Sequence, residues 1–131
     1  MVGDKISNLI IGLKNAYNAK HTIFESPYTK MNEAILNVLR KNGFILDFDI
    51  KGKDLNKRLE VTLKYEEDGT PAVSDIKRIS KQSKRVYVGY KDVLPVKNGY
   101  GISVISTPDG IISNKDAKKK KIGGEELFKI W

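Results

Sequence analysis

The sequence contains no cysteine. Disulfides and thiolate-held metals are thereby excluded, and a reducing compartment is compatible with the chain. Its single histidine, His21, by itself supports neither a metal site nor a catalytic triad. No apolar run approaches the ~20 residues of a membrane-spanning helix, and no signal-peptide pattern opens the chain. A phosphate-cradling Walker loop is absent. Gly99-Tyr100-Gly101 lacks the third glycine and the following helix of a dinucleotide fingerprint. No carboxylate pair stands with a histidine or cysteine to argue for acid–base or covalent chemistry. These absences point away from an enzyme, a cofactor, a metal and a small-molecule substrate.

Acidic residues are the minority: 16 against 24 lysines and arginines, for a formal charge of +8 over 131 residues. Such a balance favours an anionic partner, nucleic acid first. Residues 1–66 carry a net +3 and residues 67–131 a net +5. The densest stretch runs from Lys77 to Lys91 and holds Lys77, Arg78, Lys81, Lys84, Arg85 and Lys91 without an acid. Tyr87 and Tyr90 lie within it. Cations interleaved with aromatics suit phosphate contacts combined with base stacking.

Hydrophobic residues make up 40% of the chain, enough for a packed core in one domain or two small ones. Ile6, Leu9, Ile10, Leu13 and Tyr17 fall on one stripe of a helix that Asp4 can cap, with Lys14 and Asn15 pointing away from it. Gly12 weakens that helix by about 1 kcal/mol relative to alanine. His21 to Glu25 predicts a short strand ended by Ser26-Pro27. Thr29 caps a second helix with an expected buried stripe of Met31, Ala34, Ile35, Val38 and Leu39, and Gly43 sits where a left-handed cap is wanted. Lys30 in its first turn is unfavourable against the helix dipole unless an anion binds there. Phe44, Leu46, Phe48 and Ile50, then Leu59, Val61, Leu63 and Tyr65, predict two strands with one apolar face each.

The polar segment from Glu66 to Pro71 reads as a linker. The reading is therefore α+β with two small modules: an N-terminal α-β-α-β-β module over 1–66, and a mainly β module with a short helix over 72–131. In the second, Val86 to Val88 predicts a strand. Ile102 to Ile105 alternates as a half-buried strand that ends in the hydroxyls of Ser106 and Thr107. Pro108-Asp109-Gly110 forms a tight turn. Hydroxyls at a rigid loop tip suit phosphates, sugars and base edges. Ser113 opens a helix to about Lys121 with four consecutive lysines, and Glu125 to Trp131 closes the chain as a strand.

Several of these motifs occur together in one known family. Asn15-Ala16, Ser26-Pro-Tyr-Thr-Lys30, Ala34 to Leu39, Gly43-Phe-Ile45, Arg85-Val-Tyr87, Leu94-Pro95, Gly101-Ile-Ser-Val-Ile-Ser-Thr107 and Gly123-Gly-Glu125 resemble the bacterial-type family of small ribosomal subunit protein eight. The last two in combination are specific. The resemblance implies a cytoplasmic ribosomal constituent that binds the central domain of small-subunit ribosomal RNA, beside neighbouring small-subunit proteins. A free repressor of its own messenger RNA is the alternative. It implies RNA-binding positions at Lys30, Tyr87, Ser106, Thr107, Gly124 and Glu125; Lys14, Asn15, Arg85 and Gly110 are further expected RNA-binding residues. The family loop usually runs Ser-Thr-Ser-Lys-Gly where this chain has Ser106-Thr-Pro-Asp-Gly110. A threonine and an arginine usually stand where this chain has Ile11 and Gly12.

Overall fold

The computed structural model describes residues 5–131; the expected Asp4 cap lies outside them. The chain divides into two compact units, Met1–Val73 and Ser74–Trp131. The first contains α1 (Lys5–Asn18), β1 (Ile23–Pro27), α2 (Lys30–Lys41), β2 (Asp47–Lys51) and β3 (Arg58–Thr62). Its three strands are antiparallel in the order β1-β3-β2. Phe24 and Phe48 lie opposite Val61, and Ser26 and Ile50 opposite Leu59. Side chains directly opposite share a face of the sheet, so these residues form one apolar face. Leu9, Leu13, Ile35, Leu36, Leu39, Leu59 and Val61 are buried, each contributing about 1.5–3 kcal/mol of burial.

The stripe expected on α1 is the buried one. Gly12, expected only to weaken the helix, permits a close approach: a Cβ there would stand 2.6 Å from the Phe24 ring. Tyr17 ties the unit together. Its hydroxyl donates to the Phe44 carbonyl at 2.6 Å and accepts from the Lys64 amide at 3.1 Å. Burial pushes its phenol up to about 12, against the opposing pull of the Lys64 amide.

Thr29 caps α2, accepting from the Asn32 amide at 2.9 Å, and Gly43 takes a φ of +81° after the helix. Phe44 N–H returns to the Leu39 carbonyl at 2.9 Å, which completes the left-handed cap. The buried face of α2 is turned from the expected one. Asn32, Ile35, Leu36, Val38 and Leu39 are buried, while Met31 is exposed. Two further expectations shift for the same kind of reason. Strand β1 runs to Pro27 because it is an edge strand, where a missing N–H leaves no ladder bond unmade. Strand β2 starts only at Asp47, because Phe44 still belongs to the helix cap, which leaves Leu46 exposed.

The expected linker is a hydrogen-bonded turn. Glu66 N–H donates to the Thr70 carbonyl at 2.8 Å and Ala72 N–H to the Lys64 carbonyl at 3.0 Å. The two compact units part between Val73 and Ser74.

The second unit contains β4 (Ile76–Arg78), β5 (Tyr87–Val88), β6 (Ile102–Thr107), β7 (Gly110–Ser113), α3 (Asn114–Lys120) and β8 (Gly124–Ile130). All five strands form one antiparallel sheet around β8. One edge of β8 pairs with β6 along its length; the other pairs with β4 near its end and β5 near its start. Strand β6 is not half-buried as its alternation suggested: Ile102, Ser103, Val104 and Ile105 are all buried. Ile105 packs with Val93, Ile112 and Ala117 of α3, so the helix covers what would otherwise be a solvated face. Asn114 fixes the start of that helix. Its side chain accepts from Ser103 N–H at 3.1 Å and donates to the Leu94 carbonyl at 3.1 Å.

Candidate nucleic-acid interface

The sheet of the second unit brings three predicted site residues, Tyr87, Glu125 and Ser106, into one row. Tyr87 lies opposite Glu125, Glu125 opposite Ser106, and Ser106 opposite Ile111. Opposed residues share a face, so these side chains cross four strands in line over about 14 Å. The next register level holds Val88 opposite Gly124 and Thr107 opposite Gly110. Tyr87 stands 69% exposed at the β5 end, as an aromatic platform for a base would need.

At the other end Thr107 and Gly110 close the β6–β7 turn. The Thr107 hydroxyl donates to the Gly110 carbonyl at 2.8 Å and accepts from the Asp109 amide at 3.1 Å. Gly110 holds a φ of +110°, a conformation open chiefly to glycine. The Ser106 hydroxyl, half-buried in the row, makes no hydrogen bond to another described residue. The two hydroxyls that looked equivalent in the sequence therefore differ: one builds the turn, the other is available.

Gly124 has a steric reason. A Cβ at that position would stand 2.1 Å from the Ser106 carbonyl oxygen. Gly123 is as tight, with Val88 O at 2.2 Å. Strand β8 thus enters the sheet between two backbones that leave no room for a side chain.

Glu125 is engaged within the protein. Its carboxylate accepts from the Ser80 hydroxyl and from Arg85 Nη1 at 3.0 Å. The Ser80 hydroxyl also accepts from the Val86 amide at 3.2 Å. Between Ser80 and Val86 the chain makes a tight basic turn, with Lys81 and Lys84 exchanging backbone bonds of 2.9 and 3.0 Å. Glu125 and Ser80 therefore anchor the base of the turn that carries Lys81, Lys84 and Arg85. Ser80 had no signal in the sequence, since its carboxylate partner lies 45 residues away.

Desolvation raises the Glu125 carboxyl, but Ser80, Arg85 and Arg78 together hold it below its ordinary value. A depressed carboxyl stabilises the fold above the unfolded value, about 4.3, and loses that contribution as pH falls through the folded one. Glu125→Gln should cost on the order of 1 kcal/mol at neutral pH. The difference from wild type should shrink as pH falls below about 4. Denaturant melts at pH 7 and pH 3 check this; a difference that grows in acid would contradict it.

The first unit carries the other predicted residues. Lys30 is exposed at the first turn of α2. The residue before it, Thr29, lines a small, largely apolar pocket of about 190 Å³ together with Lys5 and Asn8 of α1, Ser26, Pro27, Tyr28 and Asn32. The Asn32 Oδ1 is buried there without a partner. Lys14 is half-buried and Asn15 exposed on α1, and Lys14 sits about 9 Å further along the helix than Asn8. The Lys30 end of α2 thus meets the Asn8 end of α1, not the Lys14–Asn15 end. Ile11, where the resemblance expects a threonine, is 54% exposed. Among the described residues no three metal-ligating side chains converge, and no helix is long and apolar enough to cross a membrane.

The family model described as Ribosomal protein S8 matches residues 4–131. A protein of Helicobacter acinonychis named small ribosomal subunit protein uS8 is 39% identical over 131 residues, covering 100% of both chains. Proteins of the same name from Borreliella afzelii and Mycoplasma mobile are 38% and 37% identical, with coverage of 96% of both chains and of 100% and 98%. Matched from end to end at this level, and carrying the Ser106-Thr107 turn beside the Gly123-Gly124 strand entry, the chain belongs to the ribosomal protein S8 family.

Proposed function

We propose that this chain is a structural constituent of the small ribosomal subunit that binds the central domain of small-subunit ribosomal RNA and supports its assembly in the cytoplasm. The observation that carries the reading is the family match over residues 4–131; the family is one of non-enzymatic ribosomal proteins. The contact surface in the second unit is the row from Tyr87 to Ser106 with its flanking cations. Tyr87 stacks on a base, the Ser106 hydroxyl reads a sugar or base edge, and Arg85, Lys81 and Lys84 meet phosphates. Thr107, Gly110, Gly124 and Glu125 shape that surface. In the first unit Lys30, at the positive end of α2, neutralises a phosphate, and Lys14 and Asn15 form a second contact on α1. Recognition of this kind targets unpaired or distorted RNA, since a regular A-form helix hides its base edges in a deep, narrow groove.

The test is a salt titration of binding to a fragment of the central domain and to an unrelated RNA of equal length. Each neutralised phosphate contributes about −0.7 to −0.9 to the slope of log affinity against log salt. Four to six such contacts predict a slope of roughly −3 to −5. Affinity for the fragment should exceed that for the control by at least tenfold at physiological salt. A flat slope, or equal affinity for both RNAs, would remove the reading.

A further inference from the structure

The sequence holds two Asn-Gly pairs, Asn42-Gly43 and Asn98-Gly99, and the fold treats them differently. We propose that Asn98-Gly99 is a site of spontaneous deamidation, with water as the co-reactant, and that Asn42-Gly43 is protected from the same reaction. The inference lies outside the RNA reading and does not rest on it.

The chemistry is intramolecular. The Gly99 amide nitrogen, having lost its proton to solvent base, attacks Cγ of Asn98. The N–Cγ bond forms, the Cγ–Nδ2 bond breaks, and the amide group leaves as ammonia with a proton returned by solvent. Water then opens the five-membered succinimide. Attack at Cγ restores the chain as aspartate. Attack at the main-chain carbonyl leaves an isoaspartate, whose main chain runs through Cβ. The net reaction consumes one water and releases one ammonia, with no oxidation or reduction. Glycine favours the attack because it has no Cβ to hinder the approach.

In a folded chain the side chain must be free, water must reach the peptide, and the backbone must be able to leave its folded dihedrals. Asn98 meets all three conditions. It is exposed, as are Lys97, Gly99 and Tyr100, and its side-chain amide bonds to no other described residue. The turn is strained. Lys97, Asn98 and Gly99 take successive φ values of 49°, 56° and 93°. The left-handed region is disfavoured for the first two, and for the lysine above all. Gly99 N–H and Gly101 N–H donate to the Val96 carbonyl at 3.0 Å, and Tyr100 N–H to the Lys97 carbonyl at 3.1 Å. Lys115 Nζ donates to the Gly99 carbonyl at 3.0 Å. Apart from Gly101, these donors belong to exposed residues, so water can replace the bonds and the turn opens without unfolding the sheet. Opening is required, because in the closed turn the Gly99 N–H is engaged with Val96.

Asn42 meets none of these conditions. Its Nδ2, the leaving group, donates to the Val38 carbonyl at 2.8 Å. Its backbone N–H donates to the same carbonyl at 3.1 Å. Asn42 and Gly43 are half-buried. The next residue, Phe44, is buried, with its N–H on the Leu39 carbonyl at 2.9 Å. Freeing Asn42 therefore means unwinding the last turn of α2 and withdrawing a core phenylalanine.

The test incubates the full chain at mildly alkaline pH in heavy-oxygen water, both native and in concentrated denaturant. Mass spectrometry follows the two Asn-Gly peptides. Methyl transfer from S-adenosylmethionine by an isoaspartyl methyltransferase reads isoaspartate separately. In denaturant the two pairs should react within threefold of one another. In the native chain Asn98 should stay within tenfold of its denatured rate, and Asn42 should be at least tenfold slower than Asn98. Asn98→Gln keeps an amide but places it one methylene too far for the five-membered ring. It should remove both signals from that peptide and leave the Asn42 peptide unchanged. A native Asn98 rate more than tenfold below the denatured one would overturn the proposal. So would a native Asn42 rate that equals or exceeds that of Asn98. RNA binding enters none of these readouts, so failure here is separable from failure of the RNA reading.

Discussion

Gly124→Ala is expected to be the most damaging single-methyl change in the second unit. The added carbon would lie 2.1 Å from the Ser106 carbonyl oxygen, 2.9 Å from its carbon and 3.1 Å from the Thr107 Cα. All three atoms are backbone, so no rotamer change relieves the clash, and strands β6 and β8 must separate at their paired end. Overpacking of this kind costs about 1–3 kcal/mol. The strain falls where Glu125 lies opposite Ser106, so RNA affinity should fall at least tenfold at a temperature where the variant remains folded. Gly89→Ala is the control. Its nearest neighbour, Asp92 Oδ2, is 3.9 Å away and its φ is not positive, so stability should stay within about 0.5 kcal/mol of wild type. Equal denaturation midpoints for wild type and Gly124→Ala would show that the sheet opens there without resistance.

Ser106→Ala and Thr107→Ala should separate two effects that the sequence presents as one. The Ser106 hydroxyl bonds to no described residue, and its removal leaves the fold intact. Losing one hydrogen bond to RNA costs about 0.5–1.5 kcal/mol, which is roughly 2- to 12-fold in affinity. Thr107→Ala instead removes the acceptor for Asp109 N–H and the donor to Gly110. It should cost about 1 kcal/mol of stability, with an affinity loss that follows from a loosened turn. Thr107→Ser keeps the hydroxyl and should restore both quantities; Ser106→Thr should restore affinity alone. Asp109→Lys, at the exposed tip beside them, should strengthen binding and steepen its salt dependence. Unchanged affinity in the Ser106→Ala, Thr107→Ala double variant would take this turn out of the interface.

Much of this protein was legible in one dimension. The α1 stripe, the Thr29 and Ser113 caps and the Gly43 terminus were readable because each depends on residues within a few positions of one another. The β6–β7 turn was readable for the same reason, since Pro108 and Gly110 set its backbone locally. The basic Lys77 to Lys91 stretch needed only counting.

The tertiary structure decided what depends on distant neighbours. Met31 and Leu46 look as apolar as Leu36 and Ile45, yet the first pair is exposed and the second buried. Hydrophobicity says that a side chain should be covered, but only packing says which one is. Strand β6 is buried on both faces because α3 folds back over it, a fact its alternating pattern cannot contain. Ser80 meets Glu125 across 45 positions and Asn114 meets Leu94 across 20. Nothing near Gly124 in the sequence shows that it is a point where two backbones touch. Composition and local spacing pointed to an anionic partner and gave most of the elements. The row that would meet RNA exists only because strand register and close backbone packing bring residues far apart in the chain to one surface.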